Sequence, residues 1–332
     1  MASEFVTLAD VEAAHRRIAG RIVSTPTVLS AALTAHVGTS VWLKLEHRQT
    51  TGSFKLRGAS NALALLSAGE RKHGVTAAST GNHGRALAYA AKLEGIRSVI
   101  CMSRLVPENK VSEIDRLGAE IRIIGQSQDD AQAEVDRLVA EEGLAMVPPF
   151  DDPAVIAGQG TIGLEMLRDV PEAAAIVVPL SGGGLAAGIA AAAKGLNPAV
   201  KVVGVSMTRG AAMKAGLDAG HPVQVEELPT LADSLGGGIG LANRFTFAMV
   251  RDLLDEVILV SEAEIAAAII HAYAQEREIV EGAGAVGIGA LLAGKIRIDG
   301  PLVILLSGRN IDMAMHKKII SGEQFILGED AT

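Results

Sequence analysis

The sequence has few of the features that mark secreted or membrane proteins. Cys101 is the single cysteine, so an internal disulfide is excluded, and such cysteine usage is typical of a reducing cytoplasm. No charged start followed by an apolar segment and a cleavage site is present, which argues against a signal peptide. Apolar runs such as residues 173–180 are far shorter than a membrane span. We therefore expect a cytoplasmic protein with no membrane partner.

Aromatic residues and positive charge are also scarce. Phe, Trp and Tyr make up 3% of the chain, and the net charge is −8 without any Lys- or Arg-rich run. A nucleic-acid partner is not expected, because binding one needs a positively charged surface. The chain has instead 49% hydrophobic and 20% charged residues over 332 positions. This composition supports a full core, arranged as two domains or one large α/β unit.

Short apolar segments alternate with helical segments along most of the chain. An N-terminal helix is predicted to begin after Thr7, with Asp10 completing a capping box, and to end at Gly20. Strands are predicted at 41–45, 75–78, 98–102, 120–124, 144–147, 175–178, 201–205, 256–260 and 302–306. Helices are predicted at 84–93, 111–117, 128–142, 185–194 and after Ser261. Two such series predict an α/β fold of two lobes, each a parallel sheet between helices in three layers, with a cleft between them.

Lys55 differs from the other lysines in its surroundings. It stands between Phe54 and Leu56, which predicts that its stem is at least half buried. A buried ammonium tends to lose its proton or form a covalent bond, and a neutral amine can attack an aldehyde to form a Schiff base. These residues alone favour an ordinary surface lysine. The lysines that we interpret as solvated surface charges are Lys44, Lys72 and Lys110.

The loop after the predicted strand 75–78 combines several polar groups. Ligands in open α/β sheets bind at the carboxyl ends of strands, so such loops are the candidate sites. Ser79, Thr80, Asn82 and His83 offer hydroxyls, an amide and an imidazole at the start of a helix. This is a place for an anion such as a carboxylate, although capping by Ser79 or Thr80 explains the hydroxyls equally well. His83 is a candidate base, but a histidine beside a cap is more often structural.

A triple-glycine loop follows the first strand of the second series. It consists of Ser181, Gly182, Gly183, Gly184 and Leu185. Consecutive glycines before a helix cost entropy, and they are explained if the backbone must approach a phosphate. A Rossmann dinucleotide loop would need an acidic residue about 20 positions on, at the end of the next strand, and Ser206 stands there instead. The sequence therefore favours a compact phosphate over NAD, and it has no Gly-Lys-Ser/Thr motif for ATP.

The remaining candidate features are weaker. Ser307 follows the last predicted strand and is a candidate contact for a ligand ring. A lone serine at a strand end more often has a purely structural role, with its hydroxyl bonded to a neighbouring part of the protein. Glycine-rich stretches at 158–161 and 281–285 are predicted to be closely packed bends before helices, and residues 235–240 a loop over the cleft. No His, Cys or carboxylate cluster has metal-ligand spacing, and there is no Gly-x-Ser-x-Gly elbow of a serine hydrolase.

These motifs, in this order along the chain, resemble the fold-type II pyridoxal-phosphate (PLP) enzymes. The lysine, the Ser-Thr-Gly-Asn-His loop, the triple glycine and the late serine are similar to those of the tryptophan-synthase-β-like family of threonine/serine dehydratases and serine racemase. The resemblance covers residues 7–313, and the combination is specific although each motif alone is weak. The amino-acid sequences of residues 78–87, 101–107 and 232–238 resemble in particular those of the hydroxyectoine utilization dehydratases.

The resemblance implies PLP as the cofactor and a role for each of five features. Lys55 would form the Schiff base with PLP and move the substrate Cα proton. Phe54 would flank the pyridine ring, and Asn82 would bond its 3′-oxygen. Backbone N–H groups of residues 181–185 would hold the phosphate, and Ser307 would meet the pyridine nitrogen.

Further roles follow from the same resemblance. Ser79, Thr80 and His83 would line the substrate carboxylate pocket, and Glu281 would lie near the cofactor in a supporting role. Thr80 also counts as catalytic, because a serine there works on the second face of Cα in racemases; threonine makes efficient racemisation less expected. The implied fold is that of the tryptophan synthase β-subunit. It has a large PLP-binding domain, 1–55 and 149–332, and a smaller inserted α/β domain, 56–148. A homodimer is expected by analogy.

Departures from the family pattern affect the expected substrate. Ser206 stands where some relatives have a metal-binding glutamate, so no divalent cation is expected there. Ser234 and Arg309 stand where glycines are usual, which could reshape the pocket for a larger or cyclic substrate. Little chain follows the dehydratase-like region, so we expect no C-terminal regulatory domain and no feedback inhibition by isoleucine.

The sequence thus predicts a PLP-dependent dehydratase or ammonia-lyase. An uncharged Ser307 gives no charge support to the pyridine nitrogen, which favours β-elimination over transamination. Hydroxyectoine or a derivative is the leading substrate, followed by threonine or serine and then 3-hydroxyaspartate. A non-catalytic small-molecule binding protein on the same scaffold is the alternative from a different class, against which the intact Lys55 and Asn82 argue. An NAD-dependent oxidoreductase is the third hypothesis.

Overall fold

Two sheets form the centre of the molecule. The computed structural model describes residues 5–79, 81–104, 106 and 108–323. The larger sheet has six strands in the order β1-β2-β10-β7-β8-β9, and the smaller has four in the order β5-β4-β3-β6. Their bounds are β1 Thr27–Leu29, β2 Val41–Lys44, β3 Val75–Ala78, β4 Ser98–Met102, β5 Glu120–Ile123, β6 Ala145–Met146, β7 Ala175–Pro179, β8 Lys201–Met207, β9 Glu256–Val260 and β10 Leu302–Leu305.

Nearly all neighbouring strands are parallel, as predicted. The exception is β1, which pairs with β2 antiparallel, with Thr27 opposite Lys44. β1 was not among the predicted strands; it has three residues at the sheet edge and is too short to show periodicity. All strands of the smaller sheet come from residues 75–146, and those of the larger sheet lie before and after. The exact domain limits, 1–55 with 149–332 and 56–148, remain a prediction.

Helices separate the strands along the chain. They are α1 Leu8–Ile18, α2 Ala31–Val37, α3 Lys55–Ala64, α4 Ala68–His73, α5 Asn82–Glu94, α6 Glu108–Arg116, α7 Gln128–Glu142, α8 Pro153–Asp169, α9 Gly184–Leu196, α10 Ala212–Ala219, α11 Thr246–Leu253, α12 Glu262–Ala274, α13 Gly282–Leu292 and α14 Met313–Ile320. The predicted capping box of Thr7 with Asp10 is present, and Ser261 with Glu264 forms another at the start of α12. None of the helices in the described ranges is long and apolar enough to cross a membrane.

Alternating side chains bury both faces of each sheet. In β7, Ile176 and Val178 pack into one core with α8 and α9, whereas Ala175 and Val177 pack into another with α12 and α13. The smaller sheet repeats the pattern on a smaller scale, with separate cores on its two faces. Apolar residues on both sides of a strand are what a covered parallel sheet requires. The three-layer architecture is therefore confirmed.

Two glycine-rich stretches differ from the prediction in one respect. Residues 158–161 were expected to be a bend, but they lie inside α8, which Asp152 caps and Pro153 opens. A Cβ atom at Gly160 would come within 2.7 Å of the Gly188 carbonyl oxygen on α9. The glycines let the two helix backbones touch, so close packing is confirmed and the bend was wrong. Glycines 282 and 284 likewise form the first turn of α13 and do not precede it.

A buried ionic cluster corrects the interpretation of Lys44. Its ammonium is fully buried and lies 2.7 Å from the Glu165 carboxylate, so it is not a surface charge. Arg57 is also fully buried and bonds Glu46 and Glu165, each at 2.7 Å. The two cations and two carboxylates neutralise one another, but Glu165 lies more than 100 positions from the other three, a pairing that sequence patterns do not reveal. Lys72 is exposed as predicted, whereas the side chain of Lys110 lies outside the described part.

Glu165→Gln tests the energetic weight of this cluster. Removing one carboxylate leaves Arg57 and Lys44 with excess buried positive charge, and we expect a loss of about 3 kcal/mol in the free energy of unfolding. The matched control is Glu141→Gln, at an exposed helical ion pair with Arg137, where less than about 0.5 kcal/mol should be lost. Urea denaturation of both variants measures the difference, and equal losses would contradict a structural role for the cluster.

Candidate active site

The loops that follow β3, β7 and β10 meet at one cleft of about 310 Å³. The lining includes every predicted site residue that the structure describes. These are Phe54, Lys55, Ser79, Asn82, His83, Ser181, Gly182, Gly183, Gly184, Leu185, Glu281 and Ser307. Thr80 lies outside the described residues. Because the carboxyl ends of parallel strands share one edge, residues distant in sequence converge here.

Lys55 is the first residue of α3 and lies partly buried in the cleft. Its Nζ donates to the Pro149 carbonyl oxygen at 2.7 Å and lies 5.3 Å from the centre of the Phe54 ring. Burial lowers the pKa of the Lys55 amine to about 8. The predicted half-buried stem is confirmed, and the interpretation as an ordinary surface lysine was wrong. A useful fraction of this amine is neutral near physiological pH.

The Lys55 loop is joined to the Ser307 loop by backbone hydrogen bonds. The Phe54 N–H donates to the Ser307 carbonyl oxygen at 3.0 Å, and the Arg309 N–H donates to that of Gly52 at 2.9 Å. This short antiparallel contact, with Ser53 opposite Gly308, brings the start of the Lys55 helix next to the buried Ser307, although more than half of the chain separates them in sequence.

The N-terminus of α5 forms a second wall. Its N-cap is Gly81, which has no side chain to cap the helix, and the Ser79 hydroxyl accepts the Gly84 N–H at 3.1 Å. His83 Nε2 lies 2.8 Å from the Val147 carbonyl oxygen. Burial, helped by the charge of Lys55, lowers the pKa of His83 to about 3. His83 is therefore a neutral donor to that carbonyl, which argues against its role as a base.

Asn82 is held in one orientation by two partners. Its Nδ2 donates to Glu281 at 2.7 Å, and its Oδ1 accepts from Asn310 Nδ2 at 2.5 Å. The Asn310 backbone N–H also donates to Glu281, at 2.9 Å. Burial, together with the charge of Asp233, raises the pKa of Glu281 to about 7 despite these bonds. The sequence motif at 307–310 contained Asn310, but nothing in it indicated a contact with Asn82.

The glycine loop leaves the start of α9 without a side-chain cap. Gly183 is the N-cap and has a φ of +89°, a left-handed conformation that favours glycine. A Cβ atom at Gly182 would lie 2.4 Å from the Phe150 ring, and one at Gly184 would lie 2.7 Å from the Phe150 carbonyl oxygen. The glycines thus allow close packing against Phe150, and they also leave the backbone N–H groups of α9 open to a ligand. Uncapped N–H groups at a helix N-terminus suit a phosphate.

These residues fit PLP by the chemistry of their donors. An amine with a lowered pKa suits the aldehyde, the uncapped turn of α9 suits the phosphate, and an amide and a hydroxyl suit the ring heteroatoms. Within the described ranges, no group of three or more His, Cys, Asp or Glu side chains could hold a metal ion.

A second cavity lies beside the cleft, and it corrects the interpretation of Arg309. Arg48, Arg85, Arg277 and Arg309 line this cavity of about 560 Å³ together with Asn310. Arg309 was expected to reshape the substrate pocket, but it lines this second cavity and is not among the described residues that line the cleft. Ser234, the other departure from glycine, does line the cleft.

Comparison with known proteins agrees with this site. The family described as "Pyridoxal-phosphate dependent enzyme" matches residues 18–308. A Sinorhizobium fredii protein with a provisional threonine dehydratase name is 62% identical over 96% of each chain, and an L-threonine ammonia-lyase of Thermotoga maritima is 42% identical over 95% of this chain and 78% of its own. The structure of maize serine racemase superposes with a TM-score of 0.89 at 33% identity, covering 96% of this chain and 97% of its own. The chain therefore belongs to the fold-type II family of pyridoxal-phosphate dependent enzymes that includes the threonine and serine dehydratases.

Proposed function

We propose that this enzyme is an ammonia-lyase that removes the β-hydroxyl and the amino group of a hydroxylated amino acid such as threonine or serine. The observation that carries the proposal is the convergence of Lys55, Asn82, Ser307 and the uncapped end of α9 on one cleft. The threonine dehydratase and ammonia-lyase names of similar proteins support it.

Four features of the cleft are assigned to the cofactor. The first-turn N–H groups of α9 take the phosphate, because no side chain caps them. Asn82 takes the 3′-oxygen: its Oδ1 accepts from Asn310 and one Nδ2 hydrogen is donated to Glu281, which leaves the second Nδ2 hydrogen as the donor. Ser307 takes the pyridine nitrogen, and Phe54 flanks the ring. When bound, PLP supplies an electron sink for the negative charge that develops at the substrate Cα.

Lys55 is the group assigned to proton transfer at Cα. Its pKa of about 8, lowered by burial, suits an amine that gains and loses a proton near neutral pH. The Nε2 of His83 lies against the Val147 carbonyl oxygen, and burial lowers the pKa of His83 to about 3, which together argue against His83 for this task. Glu281 titrates near pH 7, again because of burial, but Asn82 and Asn310 occupy its two oxygens.

The uncharged Ser307 supports elimination over transamination. A serine places no negative charge beside the pyridine nitrogen, so that nitrogen is not held protonated as an aspartate would hold it. Charge at Cα is then less delocalised, which favours expulsion of the β-substituent. The substrate hydroxyl leaves with a proton as water, and a second water later releases ammonia and the 2-oxo acid. Racemases have a serine where this chain has Thr80, so we expect racemisation by this enzyme to be inefficient.

A second candidate substrate is a hydroxyectoine derivative. It is favoured by Ser234 at a position where glycine is usual, and by the glycine-rich loop of which Leu235 and Gly236 line the cleft. The Ser234 hydroxyl gives that edge of the cleft a polar group for a substrate that extends beyond the size of threonine. Ammonia release from threonine, serine and hydroxyectoine derivatives under identical conditions would rank the candidates.

Lys55→Ala tests the assignment of the reactive amine. We expect turnover to fall by more than about 1,000-fold, because the covalent anchor and the proton carrier are lost together. Borohydride reduction of the wild-type holoenzyme, followed by peptide mapping, should place the pyridoxyl group on Lys55. The matched control is Lys72→Ala, at an exposed lysine of α4, which should leave activity unchanged. Labelled Lys55 without ammonia release from any hydroxy amino acid would favour a binding protein.

The lowered pKa of Lys55 predicts a pH dependence of cofactor uptake. Only the neutral amine attacks the aldehyde, so the rate of PLP incorporation into apoenzyme should rise with pH and reach half its maximum near pH 8. Free N-acetyl-lysine, with an ordinary pKa of about 10.4, is the control. Stopped-flow absorbance from pH 6 to 10.5 measures both rates. A half-maximum near pH 10 for the protein would contradict the burial argument.

We further infer a homodimer, supported by an exposed apolar surface on α12 and α14, and a cytoplasmic location, supported by the single cysteine. Ile270, Tyr273 and Met313 are 37%, 46% and 56% exposed, and the Tyr273 ring contacts His316 edge-on at 5.6 Å. Ile270 and Tyr273 are three apart on α12 and therefore share a face, which forms an apolar patch, and the contact with His316 places α14 beside it. A second copy of the chain, covering this patch, is the occupant proposed.

Tyr273→Glu tests this interface. A charge in the centre of an apolar contact is costly to bury, so the variant should shift the mass measured by light scattering from dimer towards monomer. Leu196→Glu, at another exposed apolar position, is the control and should remain dimeric. A wild-type protein that is monomeric, or a Tyr273→Glu variant that is fully dimeric, would refute the assignment.

A further inference from the structure

The short segment 149–151, between β6 and α8, contacts two parts of the cleft that are distant in sequence. The Pro149 carbonyl oxygen accepts a hydrogen bond from Lys55 Nζ at 2.7 Å. The next residue, Phe150, packs against the glycine loop, where a Cβ atom at Gly184 would lie 2.7 Å from the Phe150 carbonyl oxygen. The segment therefore touches both the reactive amine and the loop that is assigned to the phosphate.

The start of α11 is a second neighbour of the same glycine loop. A Cβ atom at Gly183, the N-cap of α9, would lie 3.0 Å from Thr246 Cβ and 3.1 Å from Val250 Cγ2. Thr246 is the first residue of α11 and is fully buried. The backbone of the glycine loop is thus packed against both Phe150 and α11, and a shift of either neighbour would displace the loop.

The carboxylate of Asp151 joins these two neighbours. Its Oδ1 accepts the backbone N–H groups of Phe245 and Thr246, each at 2.9 Å, and its Oδ2 accepts that of Arg244 at 2.7 Å. Hydrogen bonds to an ionised acceptor are stronger than those between neutral groups, and three of them fix the direction of the carboxylate. Asp151 therefore fastens the start of α11 to the segment that contains Phe150.

A local helix cap is the simpler explanation of such bonds, and the neighbouring Asp152 shows one. Asp152 Oδ1 accepts the N–H groups of Ala154 and Val155 at 2.8 and 3.0 Å, at the start of its own helix α8. The partners of Asp151 instead stand 93 to 95 positions further along the chain, in α11 and directly before it. Its bonds connect two separate walls of the glycine loop, which a local cap does not require.

We propose that Asp151 is a positioning residue, which holds the glycine loop at the start of α9 in the shape that receives the cofactor phosphate. Asp151 is not among the described residues that line the cleft, and it acts through Phe150 on one side and the start of α11 on the other. This inference rests on the proposed assignment of the phosphate to α9. Binding of the phosphate should depend on Asp151 more than binding of the aldehyde, which the covalent bond to Lys55 secures.

Asp151→Asn tests the inference, because it keeps the size of the side chain but replaces one acceptor oxygen with an NH₂ group that cannot accept. Visible absorbance measures the Kd of the apoenzyme for PLP and for pyridoxal, which lacks the phosphate. We expect the variant to raise the Kd for PLP by about tenfold and that for pyridoxal by less than about twofold. Both ligands form the same bond with Lys55, so the ratio of the two Kd values isolates the contact with the phosphate.

Asp152→Asn is the matched control, since it removes the same kind of acceptor from the adjacent residue. It should lower Tm about as much as Asp151→Asn does, yet leave the ratio of the two Kd values unchanged. Asp151→Glu is a second variant, for the case that Asp151→Asn does not fold. Its longer stem keeps the charge but displaces α11 from Phe150, so it should also weaken PLP binding selectively.

Equal losses of PLP and pyridoxal affinity at Asp151 would overturn the inference, because the residue would then serve stability alone. An unchanged affinity for PLP, or an equal change of the ratio in Asp152→Asn, would overturn it as well. These results would leave the assignment of the phosphate to α9 intact. A wild type that binds pyridoxal as tightly as PLP would instead refute that assignment, and this inference with it.

Discussion

The position of the reactive amine depends on a buried ionic cluster two residues further along the same helix. Arg57 enters the interior at the first turn of α3, where Glu46 and Glu165 bond its guanidinium and Lys44 balances the second carboxylate. Burial would raise the pKa of Glu165, but the bonds from Arg57 and Lys44 lower it below its ordinary value. The carboxylate thus stays charged, and the cluster fixes the start of α3 to β2 and α8. Lys55 is presented to the cleft from this anchored turn.

Close backbone contacts extend the same constraint to the phosphate loop. A Cβ atom at Gly158 of α8 would lie 2.7 Å from the Arg57 carbonyl oxygen, and one at Gly160 would lie 2.7 Å from that of Gly188 on α9. Helices that touch without intervening side chains have little freedom to slide. Through α8, therefore, the helix that carries Lys55 and the helix whose start suits a phosphate are held at one separation. A cofactor bonded at both ends needs such a fixed span.

The sequence predicted what local periodicity and loop chemistry determine. Buried strands such as β4 and β7 were evident because their apolar runs are bounded by turns, and the loops behind them contained the residues of the cleft. Interactions between distant segments were not evident. Lys44 looked like a surface lysine because its carboxylate partner is more than 100 positions away, and Asn310 contacts Asn82 across 228 positions. The glycines of α8 suggested a bend because glycine is common in turns. Their actual role, close contact with the backbone of α9, is visible only once the partner helix is known. A single sequence records the residues but not these pairings.

Charge is handled in opposite ways in the interior and in the cleft. The cluster around Arg57 satisfies each charge with a partner, whereas burial in the cleft moves Lys55 and Glu281 towards their neutral forms, with pKa values of about 8 and about 7. Anions that enter the cleft must then be held by oriented N–H groups more than by cations. Donors with fixed directions bind well only those ligands that match their geometry, whereas an arginine would attract many anions over a longer range. The uncapped N–H groups at the start of α9 are donors of this kind, which is why that end of the cleft suits a phosphate.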